Sequence, residues 1–201
     1  GHADEYPRAM TSLIRTTGDP LTRCRLAARA SEVDLRFEQP IDAALDRVWR
    51  VLTASPHREH WIPCAAPDDL RRVDTVQPPL NWPALLPQPN GGRPALTGIT
   101  RVWQAPCVFE WTTELDIMRW ELSPLGLRTH LALTVTIAAS DPDVGAHHCV
   151  DADVAFHQFG RIISGANVVA LSCRDYVTLA RSYSARIVAA RHASPPAPTA
   201  H

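Results

Sequence analysis

One eighteen-residue stretch, MRWELSPLGLRTHLALTV from Met118 to Val135, constrains the fold more than any other. Met118, Trp120 and Leu122 alternate with Arg119, Glu121 and Ser123. Past Pro124-Leu125-Gly126, Thr129, Leu131, Leu133 and Val135 alternate with His130, Ala132, Thr134 and Thr136. A period of two puts successive side chains on opposite faces of a strand, and proline with glycine marks a reversal. The stretch therefore predicts two strands folded back on each other, with one apolar and one polar face. What the apolar face holds is the question the rest of the chain has to answer.

The same pattern extends on both sides. TGITRVWQ, CVFEWTTEL, IMRWELS and RTHLALTVTI read as four strands of an antiparallel meander between Thr97 and Ile137, with Ala105-Pro106 at another turn. Upstream, Thr22 to Gln39 reads as one or two strands with Val33, Leu35 and Phe37 on one side. PIDAALDRVWRVLTASP switches to helical spacing: Ile41, Leu45, Val48, Trp49 and Leu52 recur at three- and four-residue steps, Asp42 is placed to cap the start, and Pro56 closes it. HREHWIP reads as a second short helical turn. Residues 64–97 form a long irregular segment, with LRRVDTV as its one strand.

After the meander, AASDPDVGAHHC reads as a polar link. DADVAFHQFGRIISG is helical, with Ala155, Phe156, Phe159, Ile162 and Ile163 on one stripe and Gly165 ending it. CRDYVTLARSYSARIVAAR is a last helix, with Tyr176, Ala180, Tyr183 and Ile187 at steps of four, three and four. The expected organisation is a flexible segment over 1–20, one α+β domain over 21–191, and a disordered proline-rich tail over 192–201.

Charge and cysteines narrow the function. A net charge of -1 from mixed acids and arginines leaves no electrostatic footprint for nucleic acid. No apolar run has the length of a membrane span. The five cysteines are odd in number and contain no Cys-x-x-Cys pair, which argues against a disulfide framework or a zinc ribbon and for reduced thiols in the cytoplasm. His57 with His60, and His147 with His148, lack metal-ligand spacing, so neither a metal nor a cofactor is expected. No nucleophile elbow, phosphate loop or dinucleotide fingerprint occurs, so catalysis finds little support. Glu110 and Glu121 alternate with tryptophans and fall on the outer face, which Arg119 shares with Glu121 as a surface charge pair.

Four motifs in order carry a resemblance. LDRVWRVLTASPHREHWIP resembles a helix with V-W-x-x-L-T-x-P followed by an x-W-x-P turn. IMRWELSP and RTHLALT are similar to an R-W-E-L-x-P strand, a turn and a T-x-L-x-L-T strand. AFHQFGRI looks like a G-W-H-x-C-L-D helix that keeps His157, and LSCRDYVTLARSYSARI resembles a closing W-x-E-L-x-x-x-Y-x-x-R-F helix at Leu179, Tyr183 and Arg186. Together they resemble the START-like, or SRPBCC, superfamily, in the branch named after the activator of the heat-shock-protein ATPase, over roughly Ser12 to Val188. The chain departs from that pattern at Cys64 to Leu96, which lacks a glycine-rich strand pair, and at Gly160-Arg161, where the family helix is acidic.

The resemblance implies a helix-grip fold: a curved antiparallel sheet wrapped around a C-terminal helix, with two short helices after the first strand and an extra C-terminal helix. The space between sheet and helix would be lined by Phe109, Trp111, Met118, Trp120, Leu131, Leu133, Phe156, His157, Phe159 and Ile163, with Trp82 on a lid. Side chains alone can fill such a space, or a small hydrophobic molecule can share it. His157 reads either as a hydrogen-bonded structural histidine or as a ligand contact. Three functions follow from the scaffold: a non-catalytic binder of a small hydrophobic or amphipathic molecule, which is the favoured reading; a polyketide cyclase-like or hydrolase-like enzyme; or a chaperone-associated interaction module. A monomer and a homodimer paired through a strand edge both fit.

Overall fold

The computed structural model describes residues 20–53, 75–76, 98–112, 116–167 and 171–193. Alternating segments become the strands β1 (Cys24–Ala28), β2 (Glu32–Ile41), β3 (Thr75–Val76), β4 (Gly98–Gln104), β5 (Val108–Thr112), β6 (Asp116–Leu125) and β7 (Arg128–Ala138). They form one antiparallel sheet in the order β1-β2-β7-β6-β5-β4-β3. The opening stretch is the β6–β7 hairpin at its middle, reversed at Gly126, whose φ of 61° suits a residue without a Cβ. Of the LRRVDTV strand, Thr75 and Val76 lie among the described residues and extend the sheet beside β4.

Register aligns the inner face into rows. Phe37, Leu133, Trp120, Phe109 and Trp103 are neighbours across β2, β7, β6, β5 and β4. Leu35, Val135, Met118, Trp111 and Thr100 form the adjacent row. Strict alternation from Thr100 would turn Val102 and Gln104 inward. A register shift between Thr100 and Val102 resets the phase instead, so that Trp103 meets Trp49 and Phe109 at ring-centroid distances of 5.1 and 5.6 Å.

The outer face is a lattice of charge. The Arg119 guanidinium donates to Glu110 at 3.0 Å and Glu121 at 3.1 Å, while Arg36 donates to Glu121 at 3.2 Å and to the Thr134 hydroxyl at 2.8 Å. Such partly exposed pairs are worth about 0–1 kcal/mol each, so they mark the wet face more than they hold the fold.

Three helices cover the inner side and edge among the described residues. Helix α1 (Leu45–Thr53) buries Val48, Trp49 and Leu52. It begins later than the apolar spacing predicts, because Pro40 and Ile41 belong to β2. β1 starts at Cys24, opposite Phe37, so past Phe37 strand β2 has only β7 beside it and a proline breaks no second ladder. Amides of Arg47 and Val48 bond to the Ala44 carbonyl, which places the helix start two residues beyond Asp42. The short turn expected at HREHWIP lies outside the described residues.

Helix α2 (Pro142–Ile163) corrects a larger expectation. The segment read as a polar link is helical from Pro142 onward, with Asp141 accepting from the Asp143 amide at 2.8 Å and proline in the first turn. Its polarity hid it: His147 and His148 sit on the helix, not in a loop, and both find partners there. Gly145 allows the close approach, since a Cβ there would stand 3.3–3.5 Å from Ile187, Val33 and Ala139. Helix α3 (Cys173–Ala193) packs on α2 and β1, burying Tyr176, Leu179, Ala180, Tyr183 and Ile187. The α+β arrangement of a curved antiparallel sheet under C-terminal helices is consistent with a helix-grip fold.

Candidate ligand-binding site

The space between sheet and α2 is built by two rows of large side chains. Phe109, Trp120, Leu131 and Leu133 from the strands and Phe156 and Phe159 from the helix are fully buried, with Trp111, Met118 and Ile163 nearly so. Phe156 stacks on Phe37 at 5.2 Å and on Trp120 at 5.9 Å, and Trp120 meets Phe159 at 5.7 Å. These rings fill the middle of the interface with each other. Truncating any of them would cost about 3–5 kcal/mol through packing alone. Trp82 lies outside the described residues.

The polar groups bordering this interior fall into two kinds. Asp153, fully buried on α2, accepts from the amides of Leu21 and Thr22 at 2.9 Å each and from the Tyr183 hydroxyl at 3.0 Å. Arg186 and Tyr183 both reach Cys24, so the knot ties the start of β1 to both C-terminal helices. Burial pushes the Asp153 carboxyl up to about 7 against the opposing pull of its three donors. Similarly, His147 Nδ1 lies 2.8 Å from the Tyr176 hydroxyl and His148 Nδ1 lies 2.8 Å from Asp116. Each of these contacts ties one element to another, as a structural contact does.

The second kind has no partner. Gln39 Nε2, His157 Nε2, Thr100 Oγ1 and Trp111 Nε1 are buried atoms without a hydrogen bond. Leaving one such group unpaired costs about 1–3 kcal/mol, so four of them call for an explanation. Gln39 and His157 share a place. They line a cleft of about 290 Å³ where the end of β2 meets the last turns of α2, together with Ile41, Gly160, Arg161 and Ile163.

Gly160 makes this juxtaposition possible. A Cβ at that position would stand 2.8 Å from Gln39 Nε2, so the amide lies against bare helix backbone one turn beyond His157. Burial, helped by the Arg161 charge one turn away, holds the His157 ring below its ordinary pKa. The imidazole is therefore neutral near pH 7, with one nitrogen donating and the other accepting. Ile41 and Ile163 supply apolar walls, and Arg161 puts a cation at the rim. The arrangement can hold a small molecule with an apolar body and a polar end.

His157 and Ile163 line the cleft, whereas the aromatic residues predicted with them pack on one another between sheet and helix. Gln39, Gly160 and Arg161 complete the cleft from positions that motif reading passed over. The one signal for them was the departure at Gly160-Arg161, where an acidic helix end is replaced by a residue without a side chain and a cation. Cys149 is buried and its thiol is pushed up by that burial, away from reactivity. Among the described residues no three His, Cys, Asp or Glu side chains converge as a metal site, and no helix is long and apolar enough to cross a membrane.

Comparison with known proteins finds the fold and little more. No family model matches the chain, and no curated protein matches it. A conserved protein of unknown function from Enterococcus faecalis superposes with a TM-score of 0.67 at 11% identity, over 84% of this chain and 92% of that one. The crystal structure of CalU16 from Micromonospora echinospora gives 0.59 at 18% identity, over 84% and 97%, and its solution structure gives 0.57 at 17%, over 87% and 98%. At such identities the likeness is one of backbone, and this chain shares the sheet-and-helix scaffold of those proteins.

Proposed function

We propose that the protein is a non-catalytic SRPBCC-type binder of a small amphipathic molecule, held where the sheet meets the C-terminal half of α2. The reading is carried by the cleft of about 290 Å³, whose lining includes Gln39 and His157, two side chains that hold buried, unpartnered nitrogens beneath its surface. That volume is at the small end of ligand sites, which typically pair apolar walls with a few orienting polar groups. A ligand for which these two side chains turn toward the cleft removes a cost that the empty protein bears. The aromatic wall of Trp120, Phe156 and Phe159 keeps the two elements rigidly apart, so the cleft is prearranged. The four free cysteines among the described residues, Cys24, Cys107, Cys149 and Cys173, suit a reducing cytoplasm.

The mass of the purified protein under native and then denaturing conditions tests this directly. Extra mass lost on denaturation supports the reading and identifies the ligand class from its fragments. A clean mass that stays unchanged after incubation with lipids and polyketides counts against it and favours the interaction module. Gly160→Ala gives the matched control: its methyl group displaces the Gln39 amide, and affinity is expected to fall about tenfold for one lost hydrogen bond while the fold is kept.

A further inference from the structure

The charges on the cleft lining narrow what its occupant carries as a polar end. Arg161 and Asp42 both lie there, but they are held differently. Arg161 is half-buried on the last turn of α2, and its Nε donates to the Asn167 carbonyl at 2.6 Å. That bond fixes the plane of the guanidinium and leaves its two terminal nitrogens with no partner among the described residues. Asp42 follows the end of β2 and is exposed, so bulk water solvates its carboxylate.

The Arg161 charge also reaches inward. Burial first, and this charge second, hold the His157 ring below its ordinary pKa, so the side of the cleft next to His157 lies in a positive field. The neutral imidazole and the Gln39 amide bring dipoles to that side but no counter-charge. Pro40, Ile41, Ile163 and Ala166 supply the apolar part of the lining. At about 30 Å³ for each heavy atom, the share of a water in the liquid, a volume of about 290 Å³ holds roughly ten non-hydrogen atoms.

Chemistry then selects the head group. The outer edge of a guanidinium presents two parallel N–H donors, which match the two oxygens of a carboxylate. Such charge-assisted bonds are about twice as strong as neutral ones. An ammonium head would meet Arg161 as a like charge, and a neutral head would leave the guanidinium charge unanswered. We propose that the cleft takes an amphipathic carboxylate of about ten non-hydrogen atoms, its oxygens on the terminal nitrogens of Arg161 and its hydrocarbon body against Ile41 and Ile163. The proposal rests on the reading of this cleft as a binding site and names the class of its ligand.

Three probes with one tail separate the two ideas: octanoate, the isosteric but neutral octanamide, and octylammonium. Binding is followed in nitrogen-15 spectra through the Gly160 amide and the Gln39 side-chain amide, the latter assigned from its loss in Gln39→Leu. Octanoate, ionised at about pH 7, is expected to bind about tenfold more tightly than octanamide. In Arg161→Gln that preference should fall to about threefold or less. Equal affinities for octanoate and octanamide, or an undiminished preference in Arg161→Gln, overturn the carboxylate and leave the binder reading standing. Tighter binding of octylammonium than of octanoate, lost in Asp42→Asn, does the same and turns the cleft over to cations. Gly160 and Gln39 signals that none of the probes moves overturn both.

Discussion

Two sets of buried polar groups divide this molecule. Around Asp153 every donor meets an acceptor: two backbone amides, a tyrosine hydroxyl and the carboxylate close on one another. Around Gln39 and His157, and again at Thr100 and Trp111, buried polar atoms face no partner. Burial is comparable, but the energetics are opposite. A satisfied buried network rigidifies the fold and resists removal of any member, whereas an unsatisfied group is a standing cost that only an outside partner relieves. The first set explains why the chain holds together. The second set has no such closure within the described structure.

The comparison can be broken most severely at Asp153. Asp153→Ala strands the Leu21 and Thr22 amides and the Tyr183 hydroxyl together, and the expected loss is about 3–5 kcal/mol in urea unfolding. A loss under about 1 kcal/mol would mean that the knot does not secure the start of β1.

Titration of the same carboxyl gives the next effect. Its folded value of about 7 stands above the ordinary 3.8, so the folded state binds the proton more tightly than the unfolded chain does. The group's stabilising contribution is therefore complete below about pH 4 and is lost as pH rises through about 7, by roughly 2–4 kcal/mol. Urea midpoints at pH 5 and pH 8 should show the decline, and Asp153→Asn should flatten it relative to the parent. A parent whose stability rises over that interval as steeply as the variant's would contradict the shift.

The smallest effects sharpen the contrast most, because they remove a hydroxyl from each set. Tyr183→Phe takes one out of the satisfied knot and should lower stability by about 1–2 kcal/mol. Thr100→Val takes one from an unpartnered position and should raise stability by about 1 kcal/mol in the ligand-free protein. Thermal unfolding of both variants beside the parent checks the signs. Equal destabilisation by the two would erase the distinction drawn between the sets.

Much of the architecture was legible from periodicity. The alternation read between Thr97 and Ile137 corresponds closely to β4 through β7, and Val33, Leu35 and Phe37 all enter the core. The helical stripe of Phe156, Phe159 and Ile163 turns toward the sheet. Where reading failed, the reason was local. Pro40 is tolerated in a strand because β1 is too short to reach it, and that is a fact about a neighbouring strand. The start of α2 carries histidines and acids whose partners, Tyr176 and Asp116, lie 29 and 32 residues away. Its polar face therefore read as loop. Gln39 looked like an ordinary strand residue, because only the packing of α2 reveals the bare backbone of Gly160 beside it.

The sequence by itself determined which residues are inside: a period of two or of 3.6 is written into the order of side chains and needs no partner to be read. It put Arg119 and Glu121 on the outer face for the same reason, since both must face away from Trp120. Which buried polar atoms are answered and which are left open was decided only by the tertiary structure. Asp153, His157, Thr100 and Trp111 are alike in carrying a polar group on an apolar face. Hydrogen bonding depends on a partner within about 3 Å, and that partner is supplied by whichever distant segment the fold brings across.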